Sequence, residues 1–118
     1  MTFLKKIVTV VSASGSSTSI GWTTFNAQPY IPVGSSIVGL NCYASVAAIT
    51  TQCAIYVRAN SLGPEYRAAT TSAVAVANGS DADTNFILVP LDATRQSFDY
   101  KVAVTGTASY TIELICVM

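Results

Sequence analysis

The stretch GWTTFNAQPYIPVGSSIVGLNCYASV, residues 21–46, carries the longest clean alternation in the chain. Val38, Leu40, Cys42, Ala44 and Val46 fall on one side, and Ile37, Gly39, Asn41, Tyr43 and Ser45 on the other. A period of two marks an extended strand with one face in a core. Ahead of it, Pro29 and Pro32 each fix φ and push the preceding residue towards extended backbone, while Gly34 can supply a positive φ. Before that corner sits the only tryptophan, Trp22, in a short apolar and threonine-rich run. The stretch reads as strand, rigid corner, long central strand.

The same period recurs outward from it. In residues 52–58, Cys53, Ile55 and Val57 share one face, with Ala54, Tyr56 and Arg58 on the other. Phe98, Tyr100, Val102 and Val104 align in a later run, and Tyr110, Ile112, Leu114 and Cys116 in the last. The link between those two, residues 105–108, reads as a tight hairpin. Residues 3–12 are rich in β-branched side chains and make a first strand, followed by a small-polar loop to residue 19. Residues 86–91 are continuously apolar, as a strand covered on both faces would be, and Pro90 assigns them to an edge or bulge. Residues 66–76 read as one or two short edge strands, with turns at 60–64 and 78–81. No window carries a helical stripe, and there is no internal repeat. The expectation is an all-β chain: a jelly-roll-like antiparallel β-sandwich of about eight strands, one domain over residues 1–118. Its expected core holds Trp22, Leu40, Cys42, Ile55, Val57, Tyr100, Val102, Ile112 and Leu114.

Composition narrows the function. The chain is 51% hydrophobic, 10% charged and has a net charge of +0, far from a disordered composition. Lys5, Lys6, Arg58, Arg67, Arg95 and Lys101 are scattered along it, so no nucleic-acid partner is expected. No membrane association is expected either, since no run approaches the roughly 18 apolar residues of a spanning helix. The apolar run at residues 7–11 is shorter than the roughly 7–15 residues of a secretion-signal core, so the N-terminus reads as a strand. There is no histidine, which removes the commonest general base, the usual triad partner and the usual zinc ligand. Nor is there a glycine-rich phosphate loop. The chain is not expected to be an enzyme or to carry a cofactor.

Two weaker chemical signals remain. Cys42, Cys53 and Cys116 all fall on expected inward faces and read as buried free thiols. A Cys42–Cys53 disulfide is opposed by the odd count and a reducing compartment, and zinc by the absence of CxxC spacing. Asp81, Asp83, Asn85 and Asp92 have the acidic spacing of a calcium loop. Phe86, however, stands where that loop needs glycine, and Asp92 where it needs glutamate. The segment reads as a solvated turn, and no metal is expected.

The order Gly21-Trp22-Thr23, Tyr30-Ile31-Pro32-Val33-Gly34-Ser35, Phe98-Asp99-Tyr100-Lys101 and Ser109-Tyr110-Thr111-Ile112-Glu113-Leu114 resembles small β-sandwich proteins of tailed-bacteriophage virions. The resemblance spans most of the chain and contains no catalytic signature. It implies a homo-oligomeric jelly-roll module, made in the host cytoplasm, that decorates or cements the capsid exterior by binding the major capsid protein. Similar modules form fibre tips that bind host receptors or glycans, for which Trp22, Tyr30, Tyr43, Tyr56 and Tyr66 would be the stacking residues. A fibre tip usually follows a long shaft, and this chain opens with a strand, so the decoration role is the expectation. So low a charge also suits a surface covered by a partner. The expected contact residues are Phe3, Leu4, Ile7, Val8 and Val10 of the first strand and Tyr30, Ile31 and Val33 of the corner. The expected assembly is a symmetric trimer ahead of a dimer.

Overall fold

In the computed structural model, which describes residues 1–47, 50–72 and 81–118, the alternating runs become eight strands. These are β1 (Thr2–Ser16), β2 (Ile20–Asn26), β3 (Ile37–Val46), β4 (Gln52–Arg58), β5 (Tyr66–Ser72), β6 (Asp81–Pro90), β7 (Ser97–Thr105) and β8 (Ala108–Val117). They form two four-stranded antiparallel sheets, ordered β1-β8-β3-β6 and β2-β7-β4-β5. Only β4 and β5 are both consecutive and paired; every other link passes between the sheets. Two four-stranded sheets interleaved this way make a jelly roll. Among the described residues, no helix is long and apolar enough to cross a membrane.

The strand that decides the fold is an interior one. β3 lies between β8 and β6, and its inward residues Val38, Leu40, Cys42, Ala44 and Val46 are all buried. Facing them from the other sheet are Ile55, Val57, Phe98, Tyr100 and Val102, also buried. Each such aliphatic or aromatic side chain contributes about 1.5–3 kcal/mol when removed from water. Eight of the nine expected core residues are in this interior, and Trp22 is not. The β2–β7 register slips between Ile20↔Val102 and Thr23↔Tyr100, so Gly21 and Trp22 together oppose Lys101. That bulge turns the indole outward, onto the face shared by Lys101 and Arg58.

A second bulge moves Cys116. Leu40 pairs with Leu114 but Gly39 with Cys116, leaving Ile115 as the extra residue. Beyond it the phase of β8 inverts: Val117 points inward opposite Val38, and Cys116 lies outside the main core, beneath the Phe86 ring. All three cysteines are nonetheless buried and none is in a disulfide. Cys42 and Cys53 belong to strands of different sheets.

Three further expectations change. Residues 105–108 are not a hairpin but a corner between sheets, turned by Gly106 at φ +78°. Residues 86–90 are an edge, as Pro90 requires, but only one face is covered: Ile87 and Val89 point inward, while Phe86 and Leu88 remain 47% and 40% exposed. The acidic segment is no solvated turn; it opens β6, where Asp83 Oδ2 accepts hydrogen bonds from the Thr70 amide (3.0 Å) and Asn85 Nδ2 (2.9 Å). Asp83 thereby joins β6 to β5 and closes that side of the sandwich, a use of an inward-facing charge at a sheet edge. The turn expected at residues 78–80 and the strand expected at 73–76 lie outside the described residues.

Candidate functional site

β1 is one of the edge strands: among the described residues it pairs with β8 on one side, and its outer side is unpaired. Its register passes from Phe3↔Cys116 to Val8↔Leu114, so residues 4–7 oppose Ile115 alone and arch away from the sheet. Leu4 and Val8 lean back onto the core, whereas Phe3 and Ile7 stay 68% and 55% exposed.

Opposite the arch stands the proline corner. Gln28–Tyr30 is a 3₁₀ turn in which the Tyr30 amide donates to the Ala27 carbonyl at 2.9 Å. Tyr30 stacks on Phe25 (5.8 Å between centroids, 15° between planes), and Phe25 rests on the buried Phe98 at 5.5 Å. The corner is therefore anchored to the core. Arch and corner enclose an apolar groove of about 830 Å³, floored by Val117 and rimmed by Lys5 and Lys6.

Of the eight expected contact residues, Phe3, Leu4, Ile7, Val8, Tyr30 and Ile31 line this one groove. Val10 instead packs against the core, and Val33 stands 92% exposed at the corner's tip, outside the groove. Pro29, Pro32 and Val117 also belong to the lining. The prolines were visible as turn residues, but nothing in the sequence sets the β1–β8 register that delivers Val117.

The groove belongs to a broader polarity. Met1, Phe3, Tyr30, Val33, Leu62, Leu88 and Met118, all substantially exposed, gather at the end of the sandwich that bears both termini. Among the described residues, the opposite end carries small polar loops at residues 17–19 and 106–107.

The outward face of the β2-β7-β4-β5 sheet is polar and ordered in cross-strand rows. Thr24, Asp99 and Arg58 form one: Thr24 Oγ1 donates to Asp99 Oδ1 (2.8 Å) and Arg58 Nε to Asp99 Oδ2 (3.0 Å). Lys101, Tyr56 and Arg67 form the next, with Trp22 beside them. The Arg58 guanidinium is 3.9 Å from the Trp22 ring centroid and Lys101 Nζ 4.8 Å from it. Ala103, Ala54 and Thr70 follow, then Thr105 and Gln52.

Burial pushes the Cys42 thiol up to about 12 and the Cys53 thiol up to about 11, so both are neutral and poor nucleophiles near pH 7. Asp92 is held below the usual carboxylate range, first by the Asn60 side-chain amide and then by the Arg95 amide, which order the β6–β7 loop. Among the described residues, no group of three or more cysteine or acidic side chains is placed to hold a metal ion.

Fold and site together define a class: among the described residues, an eight-stranded jelly roll with an apolar groove beside the unpaired edge of β1, at its terminus-bearing end. No protein-family model matches the chain, and no curated protein matches it.

Proposed function

We propose that this chain is a structural protein of a tailed-bacteriophage virion, a decoration or cement protein of the capsid exterior. Its groove end would dock across neighbouring copies of the major capsid protein, after synthesis in the host cytoplasm. The observation that supports this reading is the gathering of exposed apolar side chains at one end, beside the unpaired edge of β1. A free edge offers main-chain hydrogen bonds to an extended segment, and the adjoining groove offers a place for its side chains. The Lys5 and Lys6 rim would favour an acidic partner surface.

The mechanism needs no chemistry. A protein that binds only the assembled shell stabilises it by mass action. A standard joint takes about 800 Å² from each partner, about an eighth of the 6260 Å² that this molecule exposes. The test is to add purified protein to undecorated shells and measure bound copies and shell melting. Wild type should bind and raise the melting temperature, and Ile7→Asp should do neither. Shells that ignore the wild-type protein, or that bind Ile7→Asp as well, would overturn the reading.

A further inference from the structure

The row of Lys101, Tyr56 and Arg67 has a use beyond holding the sheet together. Lys101 Nζ lies 4.7 Å and the Arg67 guanidinium 5.6 Å from the centroid of the Tyr56 ring, so one ring orders two cations. Among the described residues, neither has a carboxylate partner; the ion pair of this face is Arg58–Asp99. Next to that row the outward side chains shrink to Ala54 and Ala103, which are register partners on β4 and β7. The result is an open cleft of about 290 Å³, walled by Tyr56 and Arg67 and rimmed by Gln52, Thr70 and Thr105.

We propose that this cleft binds an acidic saccharide, one sugar ring lying over Ala54 and Ala103 against Tyr56, with its carboxylate taken by Arg67; Lys101 stands outside the lining, on the far side of Tyr56. The size is at the small end of ligand pockets, about 300–1,000 Å³, which suits a single ring. Two methyl groups and an aromatic wall match the C–H face of a pyranose. The Gln52 amide and the Thr70 and Thr105 hydroxyls both donate and accept, as ring hydroxyls require. An arginine fork is the best side chain for a carboxylate. Asp83, beside Thr70, is already engaged by the Thr70 amide and Asn85. A nucleic-acid strand fits less well, because it needs a line of free cations, and of the three on this face Arg58 is already paired with Asp99. Lys5 and Lys6 rim the groove on the other sheet, and Arg95 lies in the β6–β7 loop.

The cleft and the β1 groove share no residue, so saccharide binding by the free protein is independent of capsid docking. The experiment is a titration of the full ¹⁵N-labelled chain with trigalacturonic acid, its methyl ester, sodium sulfate and a single-stranded DNA decamer. Trigalacturonic acid should give saturable shifts at residues 52–56, 67–70 and 101–105, and the ester should bind at least tenfold more weakly. Arg67→Gln should bring acid and ester to the same affinity. Ala103→Leu, which fills the cleft and keeps every charge, should weaken binding at least tenfold with an unchanged melting temperature. The proposal fails if no saturable shift appears there, or if the ester binds equally. It fails also if sulfate saturates the same amides, if the DNA binds more tightly, or if folded Ala103→Leu binds as wild type. Should Ala103→Leu not fold, the wild-type map and Arg67→Gln decide the matter.

Discussion

A Cβ on Gly39 would collide with the Cys116 Sγ and lie 2.8 Å from the Phe86 ring. On the outer face of β3, glycine makes room for a thiol from β8 and an aromatic ring from β6. Gly39→Ala should cost about 1–3 kcal/mol, the usual range for overpacking, in a urea-unfolding measurement. Removing the thiol frees the space, so adding Cys116→Ala should recover part of that loss, giving a double variant well short of additive. The alternation of β3 made its inward residues legible, and it placed Gly39 on the outer face. The same rule applied to β8 misplaced Cys116, because one inserted residue, Ile115, inverts the phase and leaves no trace in composition. The other two thiols respond to pH. Their unfolded value is near 9, and the folded values are about 12 for Cys42 and about 11 for Cys53. Below pH 9 both states keep the protons and this contribution is fully present. Above pH 9 only the unfolded chain ionises, so stability is lost up to pH 11–12, at most about 1.4 kcal/mol per pH unit for each thiol. Urea midpoints at pH 8, 9 and 10 should fall more steeply for wild type than for Cys42→Ala.

At the scale of elements, β1 does two jobs that the sequence displayed only as one weak alternation. Leu4, Val8, Val10, Val11 and Ala13 pack against the core, while Phe3 and Ile7 project into solvent. The bulges of β1 decide which residue does which, and the slip from Phe3↔Cys116 to Val8↔Leu114 is a property of the pairing with β8. Deleting residues 2–11 therefore removes core as well as contact surface. We expect that truncation to lose its cooperative thermal transition, read by circular dichroism, while Phe3→Asp keeps it. A truncated chain that melts as wild type would show that the sandwich closes without β1. The sheet assignment of β7 and β8 was illegible for a related reason. A glycine-containing link of two or three residues looks alike whether it returns in the same sheet or crosses to the other, and only the Gly106 corner's packing on Thr51 distinguishes them. Trp22 was misplaced by the same blindness to bulges, and with it the polar outer face that it flanks.

Across the whole molecule, shape and charge favour self-association. The sandwich is flat, 49 × 30 × 17 Å, and its net charge of +0 gives copies no long-range repulsion. Its exposed apolar end holds two unlike features side by side: the groove lined by Phe3 and Ile7, and the knob of Val33, which stands clear of that groove. A knob of one copy seated in the groove of the next, whose own knob goes on to a third copy, is a heterologous contact and closes as a ring where its rotation allows; two copies that exchange knobs would instead make a two-fold pair. A trimer is the smallest such ring. Val33→Asp spoils the knob and spares the groove, and Ile7→Asp does the reverse, so each alone should sediment as a monomer. Mixed in equal amounts, the two variants retain one intact knob and one intact groove per pair. They should form dimers that cannot close into a ring, seen as a dimer peak present in the mixture and absent from either component. A two-fold pair with exchanged knobs would also keep one intact contact in the mixture, so the mass of the wild-type assembly decides between them: three copies for the ring and two for the pair. Wild-type protein that sediments as a monomer at tens of micromolar would remove the ring altogether, leaving the groove to the proposed capsid partner alone.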